Sequence, residues 1–147
     1  MKITIAWIGK TKEPAIQSLT DEYLKRLSRY AETNGVQLKD ESALLALANP
    51  KSQSRPRLVL LDSRGKQLSS EELAEFIGDH QDRNPLPLLF AIGGADGFSD
   101  QTRRTATFTL SLGKMTLAHE LARVVLLEQL YRAFTILKGH PYHLGHD

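Results

Sequence analysis

Leu88-Leu89-Phe90-Ala91-Ile92-Gly93-Gly94-Ala95-Asp96-Gly97 is the stretch that decides the fold. Five apolar residues in a row, set off by Pro85 and Pro87, read as a strand covered on both faces, the habit of parallel sheets. The run stops at three glycines in five positions, where the backbone is able to approach a neighbour closely. Glycine content alone fits an ordinary tight strand-to-helix turn equally well. The spacing is G-G-x-x-G rather than G-x-G-x-x-G, and it follows a late strand, which disfavours a nicotinamide-binding fingerprint. No G-x-x-x-x-G-K-[ST] phosphate loop occurs anywhere in the chain.

The same alternation extends in both directions. Upstream, Leu58-Val59-Leu60-Leu61 is another fully apolar strand, and Ser63-Arg64-Gly65-Lys66 reads as the turn that ends it. Ser69 or Ser70 then caps a helix carrying Leu73, Phe76 and Ile77. Near the start, Ile3 to Ile8 is a β-rich run halted by Gly9. Apolar residues then recur at helical spacing from Pro14 to about Ala31, and Asn34-Gly35 ends that helix. A short strand at Val36–Leu38, a small helix over 41–48 closed by Asn49-Pro50, and a polar loop from Lys51 to Arg57 follow. Downstream, a short helix begins after Ser99 and Thr107–Leu110 is the last strand. Leu117 to Leu137 is a long helix halted by Gly139 and Pro141. The expected fold is α/β, a parallel sheet with helices on both faces, formed by residues 1–147 as one domain. Ligands of such sheets sit beyond the carboxyl ends of the strands, so the connections after Leu61, Ile92 and Leu110 are the candidate site.

Composition excludes several classes. The 147 residues contain no cysteine, which removes disulfide scaffolds, thiolate metal sites and cysteine nucleophiles, and fits a cytoplasmic setting. Apolar runs are too short to span a membrane, and the N-terminus lacks the build of a signal peptide. A net charge of +2 does not declare a nucleic-acid binder. Local charge is uneven, with Lys51, Arg55, Arg57, Arg64 and Lys66 set against Asp62 alone. Such a run is usually a solvated face, with room for an anionic partner.

The connection Leu110 to Leu117 carries Gly113 and offers Thr116 as a helix cap. Its backbone groups suit an adenine edge, although an ordinary βα connection explains it alone. The last helix carries more apolar residues than one face needs, and a two-fold partner is the simplest cover. Glu128 and Arg132 are spaced for a surface ion pair, and His119 and Arg123 share a face near the helix start. The tail histidines His140, His143 and His146 invite a metal reading, which the lack of thiolates and of a regular element disfavours. Contact of this aromatic tail with RNA is at least as plausible.

These motifs together resemble a known family. Leu60-Leu61-Asp62, Ile92-Gly93-Gly94-x-x-Gly97, Ser111-x-x-Lys114-Met115-Thr116-Leu117-x-His119-x-x-x-Arg123, Glu128-Gln129-Leu130-Tyr131-Arg132-Ala133 and Pro141-Tyr142-His143 are similar to the RlmH family. Its members are bacterial 23S rRNA pseudouridine N3-methyltransferases of the SPOUT class. The resemblance implies a C-terminal part threaded as a trefoil knot, S-adenosylmethionine (SAM) as methyl donor, and a homodimer with the site at its interface. It implies SAM contacts from Leu61, Gly93, Leu112, Gly113, Lys114, Met115, Thr116 and Leu117. The chain departs from the family in a shorter 38–57 segment, in Ala118 where proline is usual, and in Leu144 where a basic residue is usual.

The chemistry implied is an in-line attack of the pseudouridine N3 on an already activated methyl, which asks mainly for alignment and for removal of the N3 proton. His143 has the side chain best suited as base, Tyr142 and His119 suit substrate contact, and Arg123 suits a developing anion or a phosphate. The implied partner is 23S rRNA in the large subunit or whole ribosome, with no membrane and no DNA. A ribosome-associated binding or assembly factor that kept the fold without catalysis is the alternative.

Overall fold

The computed structural model describes residues 1–49, 51, 55–83 and 86–144; the side chains of His143 and Leu144 lie outside that description, as do Pro50, Pro85 and His146. Five strands, β1 (Lys2–Ile8), β2 (Glu32–Leu38), β3 (Arg57–Gln67), β4 (Leu88–Ile92) and β5 (Phe108–Ser111), form one sheet in the order β2-β1-β4-β3-β5. Every strand pairing is parallel. Helices α1 (Pro14–Leu27), α3 (Ser70–Arg83) and α5 (His119–Lys138) cover one face. The short helices α2 (Glu41–Leu47) and α4 (Asp100–Thr105) flank the other. β4 is central and wholly buried, as its unbroken apolar sequence requires.

The caps follow local chemistry. Ser69 and Glu72 make a reciprocal capping box at the start of α3, with the Glu72 N–H donating to Ser69 Oγ at 3.0 Å and the Ser69 N–H to Glu72 Oε1 at 2.8 Å. Ser99 caps α4 through the Thr102 N–H. Gly139 closes α5 in a left-handed conformation.

Four local expectations are corrected. α1 ends at Leu27, and Asn34-Gly35 lies inside β2 instead of stopping a helix. Gly35 serves close packing: a Cβ there would come within 2.6 Å of Leu24 Cδ1 and 3.0 Å of the Trp7 ring. Ser63-Arg64-Gly65-Lys66 does not end β3. Leu61 and Lys66 both register with Leu110 of β5, so the residues between them form an excursion from which the strand resumes. Thr116 does not cap α5; Ala118 holds that position without a side-chain hydrogen bond. Finally, the apolar surplus of α5 is mostly covered within the chain by α1 and α3, leaving Leu121 and Leu137 partly exposed at 46% and 39%.

One buried titratable group makes stability pH-dependent. His80 is 2% exposed, with Nε2 2.6 Å from the Leu86 carbonyl and Nδ1 3.4 Å from Arg57. Burial holds its pKa below the ordinary value, and the nearby Arg57 charge acts the same way. The unfolded chain therefore binds this proton more readily, and stability falls as pH drops through about 6.5. Thermal melts at pH 7.5 and 5.5 are expected to show a drop in Tm that shrinks in His80→Gln.

Candidate active site

The carboxyl ends of β3, β4 and β5 meet at a cleft of about 340 Å³, inside the roughly 300–1,000 Å³ range of small-molecule sites. Leu61, Gly93, Leu112, Gly113, Met115, Thr116 and Leu117 line it, so all three connections picked from the strand order converge. His119, on the first turn of α5, also faces it. Lys114 is exposed and is not among the lining residues.

Backbone geometry shapes this cleft. The Gly97 N–H donates to the Gly94 carbonyl at 3.0 Å, folding the glycine segment into a tight turn. A Cβ on Gly93 would sit 3.2 Å from the Gly97 carbonyl carbon, so the turn packs directly against the end of β4. In the β5–α5 connection, the buried Ser111 hydroxyl accepts from the Gly113 N–H at 3.1 Å and donates to the Gly113 carbonyl at 2.9 Å. That double contact folds the chain back at Gly113, whose φ of 140° suits glycine.

Asp62 and Arg64 stood out in the sequence only as part of a motif and a charge run, without a role at the site, and Arg103 did not stand out at all. Asp62 accepts from the Arg64 N–H at 2.9 Å and from Arg103 Nε at 2.9 Å, and all three residues line the cleft. Arg103 also reaches Asp100 at 3.0 Å. Burial alone would raise the Asp62 pKa, but the Arg64 amide and the Arg103 guanidinium outweigh it and hold the carboxyl below its ordinary value. A carboxylate directly after an apolar strand that ends at a ligand-binding edge was the available signal. Arg103, 41 residues away, carried none.

Two expected residues lie elsewhere. Arg123 is 1% exposed and is not among the cleft-lining residues. Its guanidinium stacks on Trp7, 4.2 Å from the ring centroid, and Nη1 donates to Thr11 Oγ1 at 2.9 Å. Burial pushes its pKa below the ordinary value, with Glu120 countering. An arginine so enclosed cannot meet a substrate anion, which corrects the catalytic role expected of it. Tyr142 docks on the far part of α5. Its hydroxyl donates to Glu128 Oε2 at 2.9 Å, and its ring meets Tyr131 edge-on at 4.7 Å. Burial, with hydrogen bonds to Tyr23 and Glu128, raises the Tyr142 pKa well above the usual phenol range, so it stays protonated. The side chain of His143 lies outside the described residues.

The family model described as "Predicted SPOUT methyltransferase" matches residues 1–143. This chain belongs to the SPOUT methyltransferase family. Among its curated SPOUT relatives is the ribosomal RNA large subunit methyltransferase H of Koribacter versatilis, 61% identical over 146 residues, covering 99% of this chain and 100% of the relative. The protein of the same name from Geotalea daltonii is 43% identical over 152 residues, covering 97% and 99%. Solved structures share the fold at low identity. The SpoU methyltransferase AviRb from Streptomyces viridochromogenes, solved with AdoMet, superposes with a TM-score of 0.56 at 14% identity, over 89% of this chain and 57% of its own. A methylase family protein from Haemophilus influenzae gives 0.56 at 14% identity, over 97% and 69%.

The SPOUT cleft has the character of a nucleoside site. Leu61, Ile92, Leu112 and Leu117 supply apolar wall, and the glycine turns expose backbone donors and acceptors beside it. Asp62, Arg64 and Arg103 add both signs of charge to the lining, which suits a zwitterionic amino acid moiety. Among the described residues no group of three His, Asp or Glu is placed to hold a metal ion, and no helix is long and apolar enough to cross a membrane.

Proposed function

We propose that this chain is a SAM-dependent methyltransferase acting on N3 of a pseudouridine in 23S rRNA, within the large subunit or whole ribosome. The observation that carries the reading is the convergence of three strand ends on one cleft that combines apolar walls, glycine backbone and a charged rim. The names borne by its full-length relatives support the rRNA substrate. A bound SAM supplies an activated sulfonium methyl. The protein's share is then to hold its nucleoside part between Leu61, Gly93 and the 112–117 connection, with Lys114 over the rim, and to present the target base in line. His143 takes the N3 proton, and Tyr142 and His119 position the nucleotide. The chain works as one domain in the cytoplasm, and the trefoil threading of its C-terminal part belongs to the same reading, in keeping with its SPOUT membership.

The reading includes a homodimer, and the position of the tail supports it. Tyr142 is anchored at Glu128, nine residues beyond His119 on α5, roughly 13 Å along the helix at 1.5 Å per residue. That separation from its own His119 supports a tail that serves the cleft of a partner subunit.

Calorimetric titration with SAM, with NADH as control, is the first test. Saturable binding near one site per subunit with SAM alone is expected; no binding to SAM would leave a ribosome-binding factor. Ribosome affinity is expected to fall steeply with salt through phosphate contacts of the Lys51–Lys66 run. A flat salt response would remove those contacts from the reading.

A further inference from the structure

Arg123 is a buried cation whose hydrogen-bond partners among the described residues include no carboxylate. Its Nη1 donates to Thr11 Oγ1 at 2.9 Å and reaches Thr20 Oγ1 at 3.3 Å. Its Nε and the adjacent Trp7 Nε1 are buried and have no acceptor among the described residues. Glu120 offsets the charge through space, but removing a guanidinium from water with no hydrogen-bonded carboxylate is expensive, and a well-packed apolar side chain of similar volume would do the same filling at lower cost. The arrangement asks for a purpose beyond packing.

Its partners supply one. Thr11 belongs to the connection from β1 to α1. Glu120, one turn earlier on α5, holds the same connection through its backbone: Glu120 Oε1 accepts from the Lys12 N–H at 3.0 Å and the Glu13 N–H at 3.3 Å. The two α5 side chains thus grip one loop at successive residues. The α5 turn between them carries Ala122, and His119 precedes Glu120; both line the cleft. At the other end of the contact, Trp7 registers with Ile92, the residue before Gly93 on the cleft floor. A single guanidinium therefore joins the strand behind the floor, the β1–α1 connection and the helix turn that forms the wall.

We infer that Arg123 is a positioning residue for methyl transfer: together with Glu120 it clamps the β1–α1 connection onto the first turns of α5 and fixes the His119 wall of the cleft. The inference rests on the methyltransferase reading for its purpose, but the clamp is measurable without cofactor.

The experiment uses the full chain and the variants Arg123→Met, Arg123→Lys, Thr11→Val and Thr11→Val with Arg123→Met. Amide exchange at Lys12, Glu13 and the 112–122 segment is followed without cofactor, then SAM affinity by calorimetry and Tm by thermal melting. Arg123→Met is expected to keep Tm within a few degrees while exchange at Lys12 and Glu13 quickens at least tenfold and SAM affinity falls at least tenfold. Arg123→Lys is expected to recover part of both, and Thr11→Val to move both in the same direction by less. The double variant should add nothing to Arg123→Met. Exchange and SAM affinity within twofold of wild type in Arg123→Met would overturn the proposal, as would full additivity in the double variant. Should Arg123→Met fail to fold, Thr11→Val decides on the same two readouts, since it leaves Thr20 and Trp7 in place. If the wild type itself binds no SAM, the methyltransferase reading fails, and the exchange data still settle the clamp.

Discussion

Replacing Gly65 with alanine is expected to lower stability by about 2–3 kcal/mol and to remove most SAM binding. Gly65 lies in the excursion of β3 between its two registers with β5. A Cβ there would sit 2.6 Å from the Thr109 carbonyl oxygen and 2.7 Å from its carbon. Those are backbone atoms of a paired strand, so no rotamer change relieves the contact, and either the excursion or β5 must move. The excursion also carries Ser63 and Arg64, which line the cleft, and it is pinned by Asp62 to Arg103. A shift in it therefore reaches the site as well as the sheet. For a chain of this size the loss corresponds to roughly 5–10 °C in Tm. Melts and SAM titration of Gly65→Ala, beside Gly94→Ala as a cleft-lining glycine whose added Cβ makes only ordinary contact, 3.9 Å from the Ile8 carbonyl oxygen, check it. An unchanged Tm in Gly65→Ala would show that β5 yields there at little cost.

The Asp62 contact gives the same wall a pH dependence. Its carboxyl is held below its ordinary pKa, so its contribution is present above that value and is lost as pH falls through the folded-state value. SAM affinity is therefore expected to weaken in acid, and to do so less in Asp62→Asn, which keeps an acceptor for the Arg64 N–H while giving up the charge facing Arg103. Equal acid sensitivity in both proteins would place its origin elsewhere.

How much of this was legible in the sequence depended on whether the deciding contact was local. The runs Leu58–Leu61 and Leu88–Ile92 announced buried strands because two covered faces leave no polar alternation. Ser99 and Gly139 marked helix ends because caps act within one turn. The connections that line the cleft were legible because a parallel sheet gathers its strand ends on one edge. Gly35 misled for the opposite reason: Asn-Gly is a local stop signal, but here the demand comes from Trp7 and Leu24, which need a residue without a side chain between them. Ser63–Lys66 carried turn residues, yet pairing with β5 some forty residues later keeps the strand going. Arg123 illustrates the same limit. Its spacing from His119 placed both on one side of α5, while the Trp7 face and the Thr11 hydroxyl that bury it lie more than a hundred residues away.

His143→Ala is expected to cut the methylation rate by roughly 10²–10⁴-fold, the usual contribution of a positioned base, with SAM affinity kept within twofold. Tyr142 cannot take its place, since a hydroxyl that donates to Glu128 and stays protonated has no basic form to offer. His119 faces the cleft from the same subunit and is the rival candidate. The two are separable by mixing. If the tail works on the partner's cleft, His143→Ala subunits combined with Gly93→Val subunits form some dimers in which an intact cleft meets an intact tail. Gly93→Val disables its own cleft because the turn at Gly97 leaves no room for a branched side chain. Activity in the mixture should then exceed that of either variant alone by well over tenfold. If His119 is the base and acts within its own subunit, His143→Ala retains its rate and mixing adds nothing. If the tail acts in its own subunit, His143→Ala loses rate and mixing still adds nothing. Rate loss on substitution together with recovery on mixing is the one outcome that needs both the His143 assignment and a site shared between subunits.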